Sequence, residues 1–223
     1  MWKIYYTDIT PLCDSALFAE KLKLVDAARQ EKIARFKSEA DKRRSLAAGL
    51  LLRQALMESG LLLSDGIHPV RPMRTGPYGK YIYDDVLDFN LSHSGDFAAA
   101  VVADCPVGID VEELKGRMCE KDGMEHMEPI MERSFNEGEI SYVKEPAEHR
   151  QRAERFTCVW TKKEACAKAY GQGLMMDFRT IDTQGRDGFY SIRLKDYCWL
   201  SAYADQRQEQ PPRIVEEEIC MMN

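Results

Sequence analysis

The sequence predicts an α+β fold made of two similar halves. Strongly helical sequence is followed by a hairpin pattern twice along the chain, and the hairpins end in similar runs of small and apolar residues, Phe97–Val101 and Cys198–Ala202. The length of 223 residues is enough for each half to bury its own core. We therefore expect two comparable α+β units with a cleft between them.

The first half is expected to contain three strands and two helices, with the last two strands paired. A strand is predicted over residues 3–9 and a helix over 26–37, followed by a second helix from about Asp41 to Ser59 with a wide apolar face. Residues 66–86 are rich in Gly, Pro and Tyr, which is typical of a loop that carries binding residues. Residues 87–92 then alternate between apolar and polar side chains, and this pattern predicts a strand paired with residues 97–103.

The second half is expected to begin with a strand over residues 107–112. Residues 113–134 are polar and rich in methionine, a composition that suits either core filling, which we favour, or an adaptable protein-binding surface. A helix near residues 136–144 and a longer one through Trp160 should follow, then a hairpin over 188–194 and 197–204. The tail from Pro211 onward is expected to be loosely attached.

Two acidic motifs carry most of the chemical information. Successive side chains of a strand point to opposite faces, so Asp110 and Glu112 should share one face. Glu164 and Lys168 lie on the polar stripe of the predicted Trp160 helix, which should stop near Gly171 because glycine tolerates positive φ. Carboxylates suit a hard cation such as Mg²⁺ that also contacts phosphates. Taken singly, each group could equally be a solvated carboxylate or, for Glu164 and Lys168, a surface ion pair.

Composition and charge exclude several classes of protein. A net charge of −6 argues against general nucleic-acid binding, yet residues 29–53 hold eight basic residues against three acidic ones, which favours a small polyanionic ligand. No apolar run approaches the roughly 20 residues of a membrane span, and the first residues do not resemble a secretory signal. We expect a cytoplasmic protein with no membrane partner. Seven scattered cysteines argue against a disulfide framework or a zinc site.

Several short segments stand in a characteristic order. They are Arg35-Phe36, Arg44-Ser45-Leu46, Tyr78-Gly79-Lys80, Asn90–Ser94, Gly108–Glu112, Phe135–Glu139 and Trp160–Ala165. With these motifs the chain, from about Arg29 to Ala204, resembles the 4'-phosphopantetheinyl transferases of the surfactin-synthetase-activating (Sfp) type. The Gly108 and Trp160 motifs are the specific ones.

The resemblance implies an enzyme that transfers the phosphopantetheine arm of coenzyme A to a serine of an acyl or peptidyl carrier protein and releases adenosine 3',5'-bisphosphate. It also implies a monomer of two halves related by pseudo-twofold symmetry, residues 1–106 and 107–223, with coenzyme A between them. The methionine-rich stretch occupies the place where the family meets its carrier. The alternative is a non-catalytic protein of the same fold that only binds coenzyme A or a carrier.

The resemblance also assigns roles to individual residues. Asp110, Glu112 and Glu164 would hold Mg²⁺ on the diphosphate, with Lys168 on the same phosphates and either Glu164 or a metal-bound water as the base. The remaining contacts to coenzyme A would come from Arg29 and Lys32 (3'-phosphate), Ser92 and His93 (phosphates), and Gly79 and Lys80 (beside the adenine). Arg29 stands where the family often has lysine, and Lys80 is followed by Tyr81-Ile82 rather than Pro-Tyr.

Overall fold

The fold contains six α-helices and nine strands within the residues that a computed structural model describes, which are 2–76, 80–83, 87–205 and 211–222. The helices are α1 (Ser15–Leu22), α2 (Ala27–Ala34), α3 (Glu39–Glu58), α4 (Gly123–Ser134), α5 (Glu137–Lys144) and α6 (His149–Ala169). The strands are β1 (Trp2–Asp8), β2 (Arg74–Thr75), β3 (Tyr81–Ile82), β4 (Asp88–Ser94), β5 (Phe97–Ala103), β6 (Val107–Glu113), β7 (Phe189–Leu194), β8 (Cys198–Ala204) and β9 (Arg213–Glu216).

Two sheets form the centre of the molecule. The first has the strand order β4-β5-β1-β9, and the second has the order β6-β8-β7. Alternate residues of β1 and β5 face opposite sides, so that Tyr5 packs toward α3 while Ile4 packs against residues of the second sheet. Helix α6 covers the other face of the second sheet, with Ala165 and Ala169 in a core cluster that includes Tyr203 of β8. The layers therefore run helix, sheet, sheet, helix.

The ends of the two long helices follow from local sequence. Ser38 caps the N-terminus of α3 by accepting a hydrogen bond from Asp41 N at 3.4 Å. Helix α6 ends at Ala169, and Gly171 follows the C-cap Tyr170 with a φ of +67°, the left-handed conformation that glycine adopts without strain. The predicted stop of this helix is confirmed.

Most predicted elements are present with shifts of a few residues, but the prediction for the C-terminal tail is wrong. Strand β9 pairs in parallel with β1, and Ile219 and Met222 are buried in the core of the first sheet. Lys21, itself buried, donates to Met222 O at 2.6 Å and holds the segment in place. The tail is therefore an integral part of the first sheet and its core.

The methionine-rich stretch contains a helix, α4, that the sequence pattern did not predict. Met118, Met127 and Met131 are buried in a cluster with Phe135 and Phe156, which confirms core filling for these three side chains. None of the helices in the described ranges is long and apolar enough to cross a membrane.

A buried ion pair fixes α5 against α6. Lys163 Nζ lies 2.7 Å from Glu139 Oε2, and both side chains are fully buried. Lys163 also donates to Phe178 O and Ile181 O, and Glu139 also accepts from the backbone and hydroxyl of Thr183. Because every donor and acceptor of the pair is used, its burial is compatible with a stable fold. Lys163 thus positions the helix that carries Glu164.

Candidate active site

A cavity of about 230 Å³ lies in the first half, between α2, α3 and β4. It is lined by Arg29, Lys32, Phe36, Ser45, Ala48, Lys80, Tyr81, Phe89, Asn90, Leu91 and His93. The structure thus brings together four of the six residues that the sequence suggested for coenzyme A binding. Gly79 lies outside the described residues, and Ser92 is buried behind the cavity wall.

The cavity carries positive charge with few partners. Burial lowers the pKa of Arg29, although Asp26 opposes the shift. Lys32 is exposed by accessible area, but partial desolvation lowers its pKa, and the nearby charge of Arg29 lowers it further. Within the described part of the chain, neither side chain forms an ion pair with a carboxylate. Two neighbouring cations that form no ion pair among the described residues favour the binding of an anion.

His93 contributes a third polar group to this wall. By accessible area His93 is exposed, but partial desolvation beside the cavity still lowers its pKa most, the charges of Arg44 and Lys168 lower it further, and Asp41 acts in the opposite sense. The imidazole is therefore neutral near pH 7 when no ligand is bound.

Ser45 is a residue of the cavity that sequence reasoning did not select. Its hydroxyl is buried and has no hydrogen-bond partner in the structure. A buried polar atom without a partner is uncommon and costs free energy, and here the residue lines a cavity that suits an anion. The available signal was its position in the Arg44-Ser45-Leu46 segment, where a hydroxyl interrupts the apolar face of α3.

Lys80 is held by the protein itself. Its ammonium donates to Asp88 Oδ2, to Val107 O at 3.1 Å and to Ala169 O at 2.9 Å. These three bonds use all three N–H groups of the ammonium, so Lys80 reaches the cavity through its aliphatic stem. The side chain joins β4, the start of β6 and the last turn of α6.

The carboxylates of β6 face α6 at very short range. A Cβ atom on Gly108 would lie 2.0 Å from Ala165 O, so only glycine allows the helix to cross the strand here. This approach brings Lys168 Nζ to 2.6 Å from Asp110 Oδ1. Ser92 Oγ donates to the same Asp110 oxygen at 3.1 Å and accepts from Lys168 at 3.2 Å.

Glu112 and Glu164 complete the acidic group. Burial raises the pKa of Glu164 most, and the charges of Asp110 and Glu112 raise it further, against the opposing effect of Lys168. Burial likewise raises the pKa of Glu112, with Lys115 lowering it and Asp110 raising it. Lys115 Nζ lies 3.4 Å from Glu112 Oε1. The three carboxylates therefore interact electrostatically, and two of them already have a lysine partner.

The alternative of a surface ion pair between Glu164 and Lys168 is not what the structure contains, because Lys168 pairs with Asp110 instead. In the described ranges, no three His, Cys, Asp or Glu side chains form a ready-made metal-binding group. A second cavity, of about 130 Å³, lies beside Glu112 between apolar side chains such as Met118, Phe156 and Trp160.

Strand β4 connects the cation cavity to the acidic group. His93 lines the cavity, while its neighbour Ser92 contacts Asp110 and Lys168. The cation cavity and the acidic group therefore lie on either side of β4.

The two parts of the chain match two family models. Residues 12–105 match the model described as "4'-phosphopantetheinyl transferase, N-terminal", and residues 106–212 match the "4'-phosphopantetheinyl transferase superfamily". The 4'-phosphopantetheinyl transferase psf-1 of Bacillus pumilus is 32% identical over 212 residues, which cover 91% of this chain and 84% of the relative. The chain belongs to the 4'-phosphopantetheinyl transferase superfamily.

Other members of the superfamily are similar over much of their length. The 4'-phosphopantetheinyl transferase Sfp of Bacillus subtilis strain 168 is 28% identical over 82% of this chain and 78% of the relative. The L-aminoadipate-semialdehyde dehydrogenase-phosphopantetheinyl transferase of Xenopus laevis is 26% identical over 71% of this chain and 53% of its own length. Membership of the superfamily confirms the predicted family, the transferase class and the α+β fold of two similar halves.

Proposed function

We propose that this 4'-phosphopantetheinyl transferase moves the phosphopantetheine arm of coenzyme A to a serine of an acyl or peptidyl carrier protein. The reaction would depend on magnesium and release adenosine 3',5'-bisphosphate. The observation that carries the proposal is the arrangement around β4. On one side lie cations that form no ion pair with any described residue, and on the other lie three carboxylates with Lys168. Such a pair of sites matches a ligand with a phosphate at one end and a diphosphate further along.

The nucleotide end of coenzyme A would lie in the 230 Å³ cavity. Arg29 and Lys32 would contact the 3'-phosphate, since they are close cations with no carboxylate partner in the described ranges. His93 and the unpartnered hydroxyl of Ser45 would add hydrogen bonds to phosphate oxygens. Ser92 would act from behind the wall by holding Asp110 and Lys168. Lys80 would act by joining β4 to the last turn of α6.

Asp110, Glu112 and Glu164 are the residues that would hold magnesium. Their oxygens are the hard donors that this ion prefers. Burial raises the pKa values of Glu112 and Glu164 most and repulsion between the carboxylates adds to it, and a bound cation would relieve that repulsion. Lys168 and Lys115 would have to leave Asp110 and Glu112 for an ion to bind there. A bound divalent ion would neutralise negative charge on the diphosphate.

The transfer step needs a base and a compensating charge. The serine oxygen of the carrier forms a bond to the β-phosphorus while the bond from that phosphorus to the bridging oxygen breaks, and the bridging oxygen leaves with adenosine 3',5'-bisphosphate. Glu164 is the proposed acceptor of the serine proton, because its carboxylate lies in the acidic group beside Asp110 and Lys168. Lys168, once released from Asp110, would stabilise charge on the leaving phosphate.

We also propose that a monomer is sufficient, since one chain supplies both sets of groups through the halves 1–106 and 107–223. The carrier would approach near the methionine-rich stretch, where the 130 Å³ cavity lies beside Glu112. Because Met127 and Met131 are buried, contact would involve the exposed faces of α4 rather than these side chains.

Mass spectrometry of carrier proteins tests the proposal. The protein is incubated with coenzyme A, magnesium and a panel of apo carriers from fatty-acid, polyketide and nonribosomal-peptide systems. We expect at least one carrier to gain the mass of one phosphopantetheinyl group and adenosine 3',5'-bisphosphate to accumulate in equal amount. If no carrier gains mass while coenzyme A still binds, the protein is a non-catalytic binder and the proposed reaction is wrong.

A further inference from the structure

The two sheets are joined by side chains rather than by a backbone ladder. Strand β4 is at one edge of the first sheet and β6 is at one edge of the second. Four polar side chains of β4 accept hydrogen bonds from backbone N–H groups of β6. The bonds are Asp88 Oδ2 from Val107 N (2.8 Å), Asn90 Oδ1 from Ile109 N (3.2 Å), Ser92 Oγ from Val111 N (3.1 Å) and Ser94 Oγ from Glu113 N (3.1 Å).

This side-chain ladder, formed by Asp88, Asn90, Ser92 and Ser94, is strictly regular. Each acceptor lies 19 residues before its donor, and acceptors and donors both recur at every second residue. A slip of one residue would turn Phe89 and Leu91 toward the amides of β6, and these side chains cannot accept a hydrogen bond. The ladder therefore specifies one register between the sheets.

The ladder is tied to both halves of the proposed site. At its first rung, Asp88 also accepts from Lys80, which in turn holds the last turn of α6. At its third rung, Ser92 also bonds to Asp110 and Lys168. Residues of β4 that include His93 line the cation cavity. The register of β6 against β4 therefore determines how far the acidic group lies from the cavity.

We propose that the side-chain ladder is a positioning device that fixes the spacing between the cation cavity and the acidic group, and that Asn90 is one of its positioning residues. The inference rests on the proposed function, because it concerns a ligand that bridges the two sites. A bridging ligand gains affinity when its second contact is already at the correct distance, whereas a ligand that uses one site gains nothing from the spacing. Loosening the ladder should thus weaken coenzyme A selectively.

The test uses a matched pair of variants, Asn90→Ser and Asn90→Ala. Both remove the amide that lines the cavity, but only serine keeps an acceptor oxygen, of the kind that Ser92 and Ser94 already use toward β6. Calorimetry would measure adenosine 3'-monophosphate, which occupies the cavity alone, and coenzyme A with magnesium, which bridges both sites. We expect the two variants to bind adenosine 3'-monophosphate within about twofold of each other, and Asn90→Ala to bind coenzyme A about tenfold more weakly than Asn90→Ser.

Two results would overturn the inference. Equal affinity of both variants for coenzyme A would mean that the ladder does not set the spacing, and an equal loss for both ligands would mean that Asn90 acts only on the cavity. The parent chain is assayed for transfer in parallel. A parent that transfers normally while the variants show either result contradicts the inference alone, whereas a parent that transfers to no carrier contradicts the proposed function.

Amide exchange measured by nuclear magnetic resonance tests the ladder without any ligand. The N–H of Ile109 should exchange at least about tenfold faster in Asn90→Ala than in Asn90→Ser, since its acceptor is gone. Amides between β7 and β8 should exchange equally in both variants, as they lie outside the ladder. Equal exchange at Ile109 would show that Asn90 does not hold β6.

Discussion

The cation cavity and the acidic group differ in how their charges are compensated before any ligand binds. In the cavity, Arg29 and Lys32 lie close together and form no ion pair in the described ranges, and the pKa of each is lowered. In the acidic group, Asp110 already contacts Lys168 at 2.6 Å and Glu112 contacts Lys115 at 3.4 Å. One region is therefore arranged for an anion, while the charge of the other is partly compensated by the two lysines of the protein.

This difference predicts which region governs the affinity for the ligand and which governs the rate of transfer. An anion entering the cavity meets groups whose partial desolvation has already occurred, so little must be rearranged. A diphosphate approaching Asp110 must instead exchange partners with Lys168, because the lysine cannot serve the carboxylate and the ligand fully at once. We expect the cavity to dominate affinity and the acidic group to dominate rate.

The largest expected effect comes from neutralising Glu112. Glu112→Gln removes a carboxylate of the acidic group with little change in volume, and we expect transfer to an apo carrier to fall by at least about 100-fold. Glu113→Gln is the matched comparison, because Glu113 is the next residue of β6, is exposed, and lines the 130 Å³ cavity without belonging to the acidic group, so it separates loss of carrier contact from loss of a metal ligand. Thermal unfolding should show both variants folded. Near-normal turnover of Glu112→Gln at saturating magnesium would remove Glu112 from the proposed metal ligands.

The second largest effect concerns the cation cavity, where a substitution should weaken binding and leave the rate unchanged. Lys32→Ala removes one of the two cations of the cavity, and we expect KM for coenzyme A to rise about tenfold while kcat stays within about twofold. Arg35→Ala is the control, since Arg35 is the C-cap residue of the same helix, does not line the cavity and is paired with Glu31 at 3.7 Å. A fall in kcat with unchanged KM would contradict the assignment of Lys32 to binding.

Local pattern was sufficient for the elements that position the site. The alternation in residues 87–92 and 107–112 and the spacing in the Trp160 helix predicted β4, β6 and α6 within a few residues. Helix α4 was missed because Pro129 and Gly123 oppose a helix locally, and burial of Met127 and Met131 outweighs that preference. Strand β9 was missed because its partner β1 lies at the other end of the chain.

For the site, the residue types were predictable but their partners were not. The sequence singled out Asp110, Ser92 and Lys168 as ligand contacts, yet it contained no sign that they bond to one another. The same holds for Lys80, whose three acceptors come from distant segments. Such contacts depend on long-range packing, in particular on the close crossing of α6 over Gly108. The alternation of Asp88, Asn90, Ser92 and Ser94 was visible, but its meaning required the position of β6.

The third effect concerns the pH dependence of the cavity. The lowered pKa of His93 means that it is neutral in the free protein, and a bound phosphate should raise that pKa, so binding takes up a proton. The phosphate itself titrates in this range, so the informative quantity is the affinity of the parent divided by that of His93→Asn, which does not titrate. We expect this ratio for adenosine 3'-monophosphate to grow about fivefold from about pH 7.5 to about pH 5.5.

The lowered pKa of His93 should also make the stability of the free protein depend on pH. Because the pKa of His93 is lower in the folded state than in the unfolded state, its contribution to stability is present above the unfolded value of roughly 6.5 and is lost as the pH falls below it. His93→Asn should remove that part of the pH dependence, and Arg44, Lys168 and Asp41, which also face His93, remain unchanged. In the binding experiment, the affinity of the parent divided by that of His93→Asn could stay constant from about pH 7.5 to about pH 5.5. That result would show that His93 does not contact the phosphate.

The smallest expected effect tests whether the hydroxyl of Ser45 lowers the free energy of unfolding while it strengthens ligand binding. Ser45→Ala removes a buried hydroxyl without a partner, so the free energy of unfolding should rise by about 0.5–1 kcal/mol. Affinity for adenosine 3'-monophosphate should fall about threefold, because one hydrogen bond to the ligand is lost. Ser59→Ala is the control on the same helix, since the hydroxyl of Ser59 already donates to Ala55 O at 2.8 Å, and we expect no effect on binding there. Calorimetry and chemical denaturation measure both quantities. If Ser45→Ala destabilised the protein and left binding unchanged, the hydroxyl would serve the fold, and the cavity would be less specialised for an anion than its cations indicate.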